Sequence, residues 1–249
     1  DAISLEYRNS IPIIWIHISC PANYIDLDTP LDLEARRKAS TIYMTTSTET
    51  MFPRELILSK LSISTQNKVP AISLGVQINE KGEIIDYEII NSFVKSSFKL
   101  NYQEADELID LAPKEDPNLY ILSTLLSKRR NWRKKNGSID FPRNTSRIII
   151  QNNKLSLFFL DESKSRKLVE EAMILMGTVI SDYSIKNHIT IPFRCHDKVN
   201  DNNQSIEYND IYQNYKKRFS LRKSYVSIKP SPHSTLGLIS YVQCTSPIR

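Results

Sequence analysis

Apolar residues recur along this chain at two spacings, and the spacing separates strands from helices. Ile11 to Ser19, reading IPIIWIHIS, is rich in β-branched and aromatic side chains and too short to be a favoured helix, so it predicts a buried strand. Val69 to Ile78 and Glu83 to Val94 flank Asn79-Glu80-Lys81-Gly82, where Gly82 supplies the positive φ that hairpin loops commonly need; they predict antiparallel neighbours. Arg147 to Ile150 and Leu155 to Leu160, joined by Gln151-Asn152-Asn153-Lys154, predict a second hairpin.

Between these blocks the spacing becomes helical. Thr29 as N-cap, Pro30 at the first helical position and Asp32 in a capping-box-like place start a helix through LEARRKAS. Asn101 with Glu104 starts another, running to about Leu111, and Asn118 to Lys135 predicts a longer, increasingly basic helix ended by Gly137. From Ser163 to Asp182, Leu168, Val169, Ala172, Met173, Met176, Val179 and Ile180 form one apolar stripe, with Glu170 pointing away from it. After the polar stretch Asn200 to Ser205, IEYNDIYQNYKKRF predicts a further helix. With no internal repeat and no linker long enough to separate domains, residues 1–249 are expected to form one α+β domain, a mixed and mainly antiparallel sheet with packed helices.

Composition narrows the class without naming a function. Hydrophobic residues at 40% and charged residues at 24% exclude a mainly disordered chain. No apolar run approaches the roughly 20 residues of a membrane-spanning helix, so a soluble protein is expected. Lys and Arg total 33 against 28 Asp and Glu, a net +5 that suits a polyanionic partner and does not require one. Cys20, Cys195 and Cys244 are far apart with no CxxC pair, which disfavours a disulfide framework or a zinc site and favours a reducing, cytoplasmic setting. Asp1 in place of Met, with no signal-like segment after it, is expected of an internal piece of a longer polypeptide.

The commonest catalytic signatures are missing: no GxGxxG, no Gly-x4-Gly-Lys-Ser/Thr, no HExxH and no GxSxG. His17 lies inside an apolar strand and reads as a hydrogen-bonded core residue; His188, His196 and His233 are no more distinctive alone. The basic runs Arg36-Arg37-Lys38, Lys128-Arg129-Arg130, Arg133-Lys134-Lys135 and Lys216-Lys217-Arg218 either track a phosphate backbone or are ordinary solvated helix faces.

The order of short tags is more informative. Asp1-Ala2-Ile3, Trp15-Ile16-His17-Ile18, Pro30-Leu31-Asp32 with Ala35-Arg36, Tyr43, Met51-Phe52-Pro53-Arg54-Glu55-Leu56, Leu100-Asn101-Tyr102, Val169-Glu170-Glu171-Ala172-Met173-Ile174, His233 with Leu236-Gly237-Leu238, and Thr245-Ser246-Pro247-Ile248-Arg249 follow one another across the whole chain. Together they resemble the catalytic (RNB) domain of the ribonuclease II/R exoribonucleases.

That resemblance implies a 3′-to-5′ hydrolase that degrades single-stranded RNA to nucleoside 5′-monophosphates and depends on Mg²⁺, with flanking RNA-binding domains in a full-length protein. It implies that Asp1 is the last Asp of a metal-binding run, whose other acids would lie just before it, so the 249-residue piece by itself is expected to be inactive or nearly so. Arg249 would stabilise charge developing on the phosphate. Tyr43 and Phe141 would clamp the terminal base, and Tyr102 and Glu170 would read the ribose. Ser19-Cys20 departs from the family's Ala-Asp and lacks a common carboxylate. Gly177 stands where an Asn is frequent, on the same helix as Glu170, which touches ribose discrimination most. The rival expectation is a catalytically inactive RNA-binding scaffold or regulator of the same fold, and a third is a plain interaction domain.

Overall fold

The computed structural model describes residues 1–140, 145–151, 154–160, 163–198 and 221–249. Four antiparallel strands, β1 (Ala2–Arg8), β2 (Ile11–Ser19), β5 (Val69–Ile78) and β6 (Ile84–Val94), form a sheet in the order β1-β2-β5-β6. Short elements intervene between β2 and β5: α1 (Pro30–Lys38), β3 (Ile42–Tyr43), β4 (Thr48–Glu49) and α2 (Arg54–Leu56). Then come α3 (Tyr102–Leu111), α4 (Asn118–Lys135), the hairpin β7 (Thr145–Gln151) with β8 (Lys154–Leu160), α5 (Lys164–Lys186), β9 (Phe193–Cys195) and β10 (Tyr225–Ser227). The expected α+β class and antiparallel sheet are what the chain adopts. Among the described residues no helix is long and apolar enough to cross a membrane.

Alternation along the strands decides which face is covered. Ile14, Ile16 and Ile18 of β2, with Leu74, Val76 and Ile78 of β5, pack under Ile109 of α3, Leu122 and Leu126 of α4, and Leu168, Ala172, Leu175 and Val179 of α5. Each of these side chains but Ala172 contributes roughly 1.5–3 kcal/mol by leaving water. On the opposite face Trp15 donates from Nε1 to Glu6 at 2.6 Å, and Gly75 lies under its ring, where a Cβ would approach within 3.0 Å. His17 lies beside Trp15 and bridges Ser4 and Ser73, at 3.0 and 2.6 Å, so it is the hydrogen-bonded strand histidine the sequence predicts.

The local signals hold where they were read. Thr29 caps α1 through the Asp32 N–H, Asn101 and Glu104 close a capping box on α3, and Gly82 turns at φ +82°. That glycine also faces the Lys128 carbonyl, which a Cβ would approach within 2.4 Å. β1 was not anticipated, although Ile3, Leu5 and Tyr7 alternate; it enters β2 through a two-residue turn in which Asn9 and Ser10 both have positive φ. The helix expected over 206–219 and its Lys216-Lys217-Arg218 run lie outside the described residues.

Candidate functional site

Because the sheet is antiparallel, the start of β1, the end of β2, the start of β5 and the end of β6 share one end. Asp1 stands there, across from the Ser19-Cys20 corner. Its carboxylate accepts the Ser246 hydroxyl at 2.9 Å and the Ser246 N–H at 3.1 Å. Ser246 holds a φ of +58°, a left-handed conformation uncommon for a residue with a Cβ and usually kept only where its surroundings fix it. The turn brings Arg249 back, with its N–H on the Ser246 carbonyl at 3.1 Å.

Contacts from the α1–β3 segment complete the placement. The Thr41 N–H donates to the Arg249 carbonyl, and the Thr41 hydroxyl donates to the Ile248 carbonyl at 3.3 Å. Ile248 packs on the small cluster of Ala35, Phe52 and Leu61. The Arg249 guanidinium carbon then lies 5.6 Å from the centre of the Tyr43 ring, within cation–π range, while that tyrosine is 62% exposed. Asp1 and Tyr43 near one end of the sequence and Arg249 at the other are thereby linked through one turn.

Tyr102 and Glu170 belong to a second group, where α3 meets α5. Tyr102 opens α3, and the Arg166 guanidinium sits 4.1 Å from its ring centre. Glu170 lies one turn beyond Arg166 on α5 and is half-buried. Phe141 lies outside the described residues.

The structure corrects the reading of two basic runs. Arg129 and Arg133 are buried, not on a solvated or phosphate-tracking face. Arg133 forms a two-pronged pair with Glu171, at 2.9 and 2.5 Å, and also donates to the Leu236 carbonyl at 3.0 Å. Burial works against its charge, but the Glu171 carboxylate more than offsets this and raises its pKa. Arg129 lies 4.0 Å from the Trp132 ring centre and donates to the Gly82 carbonyl; burial pulls its pKa down to about 10. Lys128, Arg130 and Lys134 pair with Glu80 and Asp140. One signal was available: Glu171 sits three residues after Leu168, inside the apolar stripe, and a carboxylate there needs a buried partner.

Gly177 has a packing reason. A Cβ would lie 2.1 Å from the Val242 carbonyl and 2.4 Å from the Tyr241 ring, and the Val242 N–H donates to the Gly177 carbonyl. The glycine lets the segment that leads to Ser246 and Arg249 cross α5 closely, so this departure acts on backbone approach.

Magnesium asks for hard oxygen donors, usually more than one carboxylate. Among the described residues no three His, Cys, Asp or Glu side chains converge to hold a metal ion, and the Asp1 carboxylate is engaged by Ser246. The donor set described here does not fit the ion. The geometry does fit an anionic, base-bearing ligand, with a guanidinium at 5.6 Å from an exposed aromatic ring.

Comparisons with known proteins cover the whole chain. The RNB domain model matches residues 1–249. An uncharacterized ribonuclease of Synechocystis is 32% identical over 241 residues, covering 95% of this chain and 36% of its own length. The Mycoplasma genitalium RNase R, solved in complex with ribose methylated single-stranded RNA, superposes with a TM-score of 0.85 at 20% identity, covering all of this chain and 45% of that one. Yeast Ssd1, described as a pseudonuclease, matches with a TM-score of 0.74 at 12% identity over 99% of this chain and 35% of its own. The chain thus spans less than half the length of each of these proteins.

Proposed function

The chain belongs to the RNB domain family, and from that premise we propose that it acts as a 3′-to-5′ exoribonuclease on single-stranded RNA, releasing nucleoside 5′-monophosphates. The observation that carries the reading is the convergence of Asp1, Tyr43 and Arg249 on the turn at Ser246.

In this reading the exposed Tyr43 ring stacks on a base next to the scissile bond, a contact tolerant of base identity and worth about 1–3 kcal/mol. Arg249 meets the adjacent phosphate with a planar fork that stays charged, and its charge counts most as negative charge grows on the phosphate oxygens. Glu170, one turn along α5 from the arginine that covers Tyr102, accepts a hydrogen bond from a ribose 2′-OH, which DNA cannot supply. Asp1 fixes the turn that aims Arg249. Mg²⁺, implied by the resemblance, is not held by the donors described here, so these roles are limited to base, ribose and phosphate.

The test is a 5′-labelled single-stranded RNA incubated with the full-length protein in Mg²⁺ and in EDTA. A ladder shortening stepwise from the 3′ end in Mg²⁺ is expected; internal cuts, or equal degradation of DNA, overturn the reading. Cys20, where the family carries a carboxylate, favours a second reading as an RNA-binding scaffold without catalysis. Tight RNA binding without any shortening would select it.

A further inference from the structure

The opposite edge of the same sheet end carries a feature that the exoribonuclease reading leaves unused. The linker from β6 to α3, Phe93-Val94-Lys95-Ser96-Ser97-Phe98-Lys99-Leu100-Asn101-Tyr102, leaves Phe93 70% and Phe98 69% exposed, with Lys95 and Lys99 exposed between and beside them. It runs directly into Tyr102. The ladder between β5 and β6 ends at Val69 opposite Val94, so Lys68 and Lys95 are the next residues on the two strands. The Ser96 N–H, donating to the Ser64 carbonyl at 3.0 Å, holds the two chains together beyond that point.

Like charges at neighbouring cross-strand positions repel, and nothing nearby in sequence neutralises these. No Asp or Glu occurs between Glu55 and Glu80 or between Glu88 and Glu104. Among the described residues, the side chains of Lys68, Lys95 and Lys99 make no ion pair or hydrogen bond. Lysines alone could protect an edge strand from pairing with another chain. That purpose does not account for two phenyl rings left in water beside them.

Aromatic faces alternating with uncompensated lysines suit a ligand with a flat ring and a negative charge in each repeat unit. We infer that the Phe93–Leu100 linker, with Lys68, is a stacking platform for single-stranded RNA, holding bases beyond the one next to Tyr43. The inference rests on the RNA reading above and extends it. Three strand spacings separate β1 from β6, about 14 Å, so one extended strand can reach from the Asp1 side of the sheet end to the platform.

The test uses the whole chain in EDTA, so that binding is read without turnover, and fluorescently labelled single-stranded RNA of graded length. Phe93→Ser with Phe98→Ser is expected to weaken binding of an oligonucleotide of about twelve nucleotides by roughly fivefold or more, and to leave the shortest binding oligonucleotide unaffected. Lys68→Gln with Lys95→Gln should lower the slope of log affinity against log salt by about 0.7 for each lysine. All four side chains are exposed, so an unchanged melting temperature is expected to show that the fold is intact. If the parent protein binds RNA and Tyr43→Ala weakens it, but the Phe variants match the parent at every length, the platform is overturned and the RNA reading stands. No RNA binding by the parent overturns both. Unchanged RNA affinity together with loss of self-association would assign the face to protein docking and overturn the inference.

Discussion

Arg133 and Arg249 place the same guanidinium in opposite surroundings. Arg133 is 5% exposed, closed by a two-pronged bond to a carboxylate that is itself buried, and a third bond ties it to the Leu236 carbonyl. Arg249 is exposed and faces an aromatic ring that is open to solvent. The first arginine directs three hydrogen bonds into the fold. The second is open to solvent, where the proposed function places a phosphate. They are not independent, because Arg133 secures Leu236 at the head of the segment whose tail carries Arg249. One charge holds the path, and the other stands at its end.

The hardest test of that contrast removes the carboxylate from the buried pair. Glu171→Ala should cost about 3–5 kcal/mol in urea unfolding, because it strands a buried cation; replacing Arg133 and Glu171 together by Met and Leu should recover much of the loss. A single variant as stable as the parent would mean that the pair is not what holds the segment. At the exposed end, Arg249→Lys should lower the single-turnover rate by about 10²-fold, comparable to losing one preorganised donor to developing charge, with melting temperature and RNA affinity unchanged. An unchanged rate would return Arg249 to a structural role.

Gly177→Ala probes the path between the two arginines. Its methyl has no room against Val242 and Tyr241, so about 1–3 kcal/mol of stability should be lost, and amide exchange over residues 240–249 should speed up. Tyr43→Ala should do the reverse, leaving stability within about 0.5 kcal/mol while the smallest RNA released becomes longer. An unaltered end product with a lowered melting point would make Tyr43 a packing residue.

His233 also makes stability depend on pH. Burial first, then the charge of His196 and the nearby Arg194 and Arg133, lowers the His233 pKa to about 4. The folded state therefore prefers the neutral ring. Below the unfolded value near 6.5 the unfolded chain takes up the proton first, so this stabilisation is complete above pH 6.5 and is lost as pH falls towards 4. His233→Gln should flatten the melting-temperature profile in that window; an unchanged slope would place the titration elsewhere.

Much of the local structure was legible because its causes are local. The capping residues of α1 and α3, the Gly82 turn and the stripe of α5 each depend on residues within a few positions of one another. β1 was legible in principle, through Ile3, Leu5 and Tyr7, but its polar partners Ser4, Glu6 and Arg8 make it look exposed until Trp15 and His17 are known to face them. Arg129 and Arg133 misled for a related reason. A basic run on a helix reads as solvated unless the carboxylate that buries it, here 38 residues further on for Arg133, is known to lie opposite.

The sequence by itself determined α1, α3, α4 and α5, the strands of the main hairpins and, through the order of short tags, the family and the candidates Asp1, Tyr43, Tyr102, Glu170 and Arg249. Only the tertiary structure decided that Asp1 and Arg249 meet through Ser246, that Gly177 makes room for the segment between, and that the lysines and phenyls beyond β6 stand at the same end of the sheet. Periodicity and capping act over one or two turns of chain, whereas these meetings depend on antiparallel register and on backbones approaching across 65 to 245 positions of sequence, distances over which no local pattern carries information.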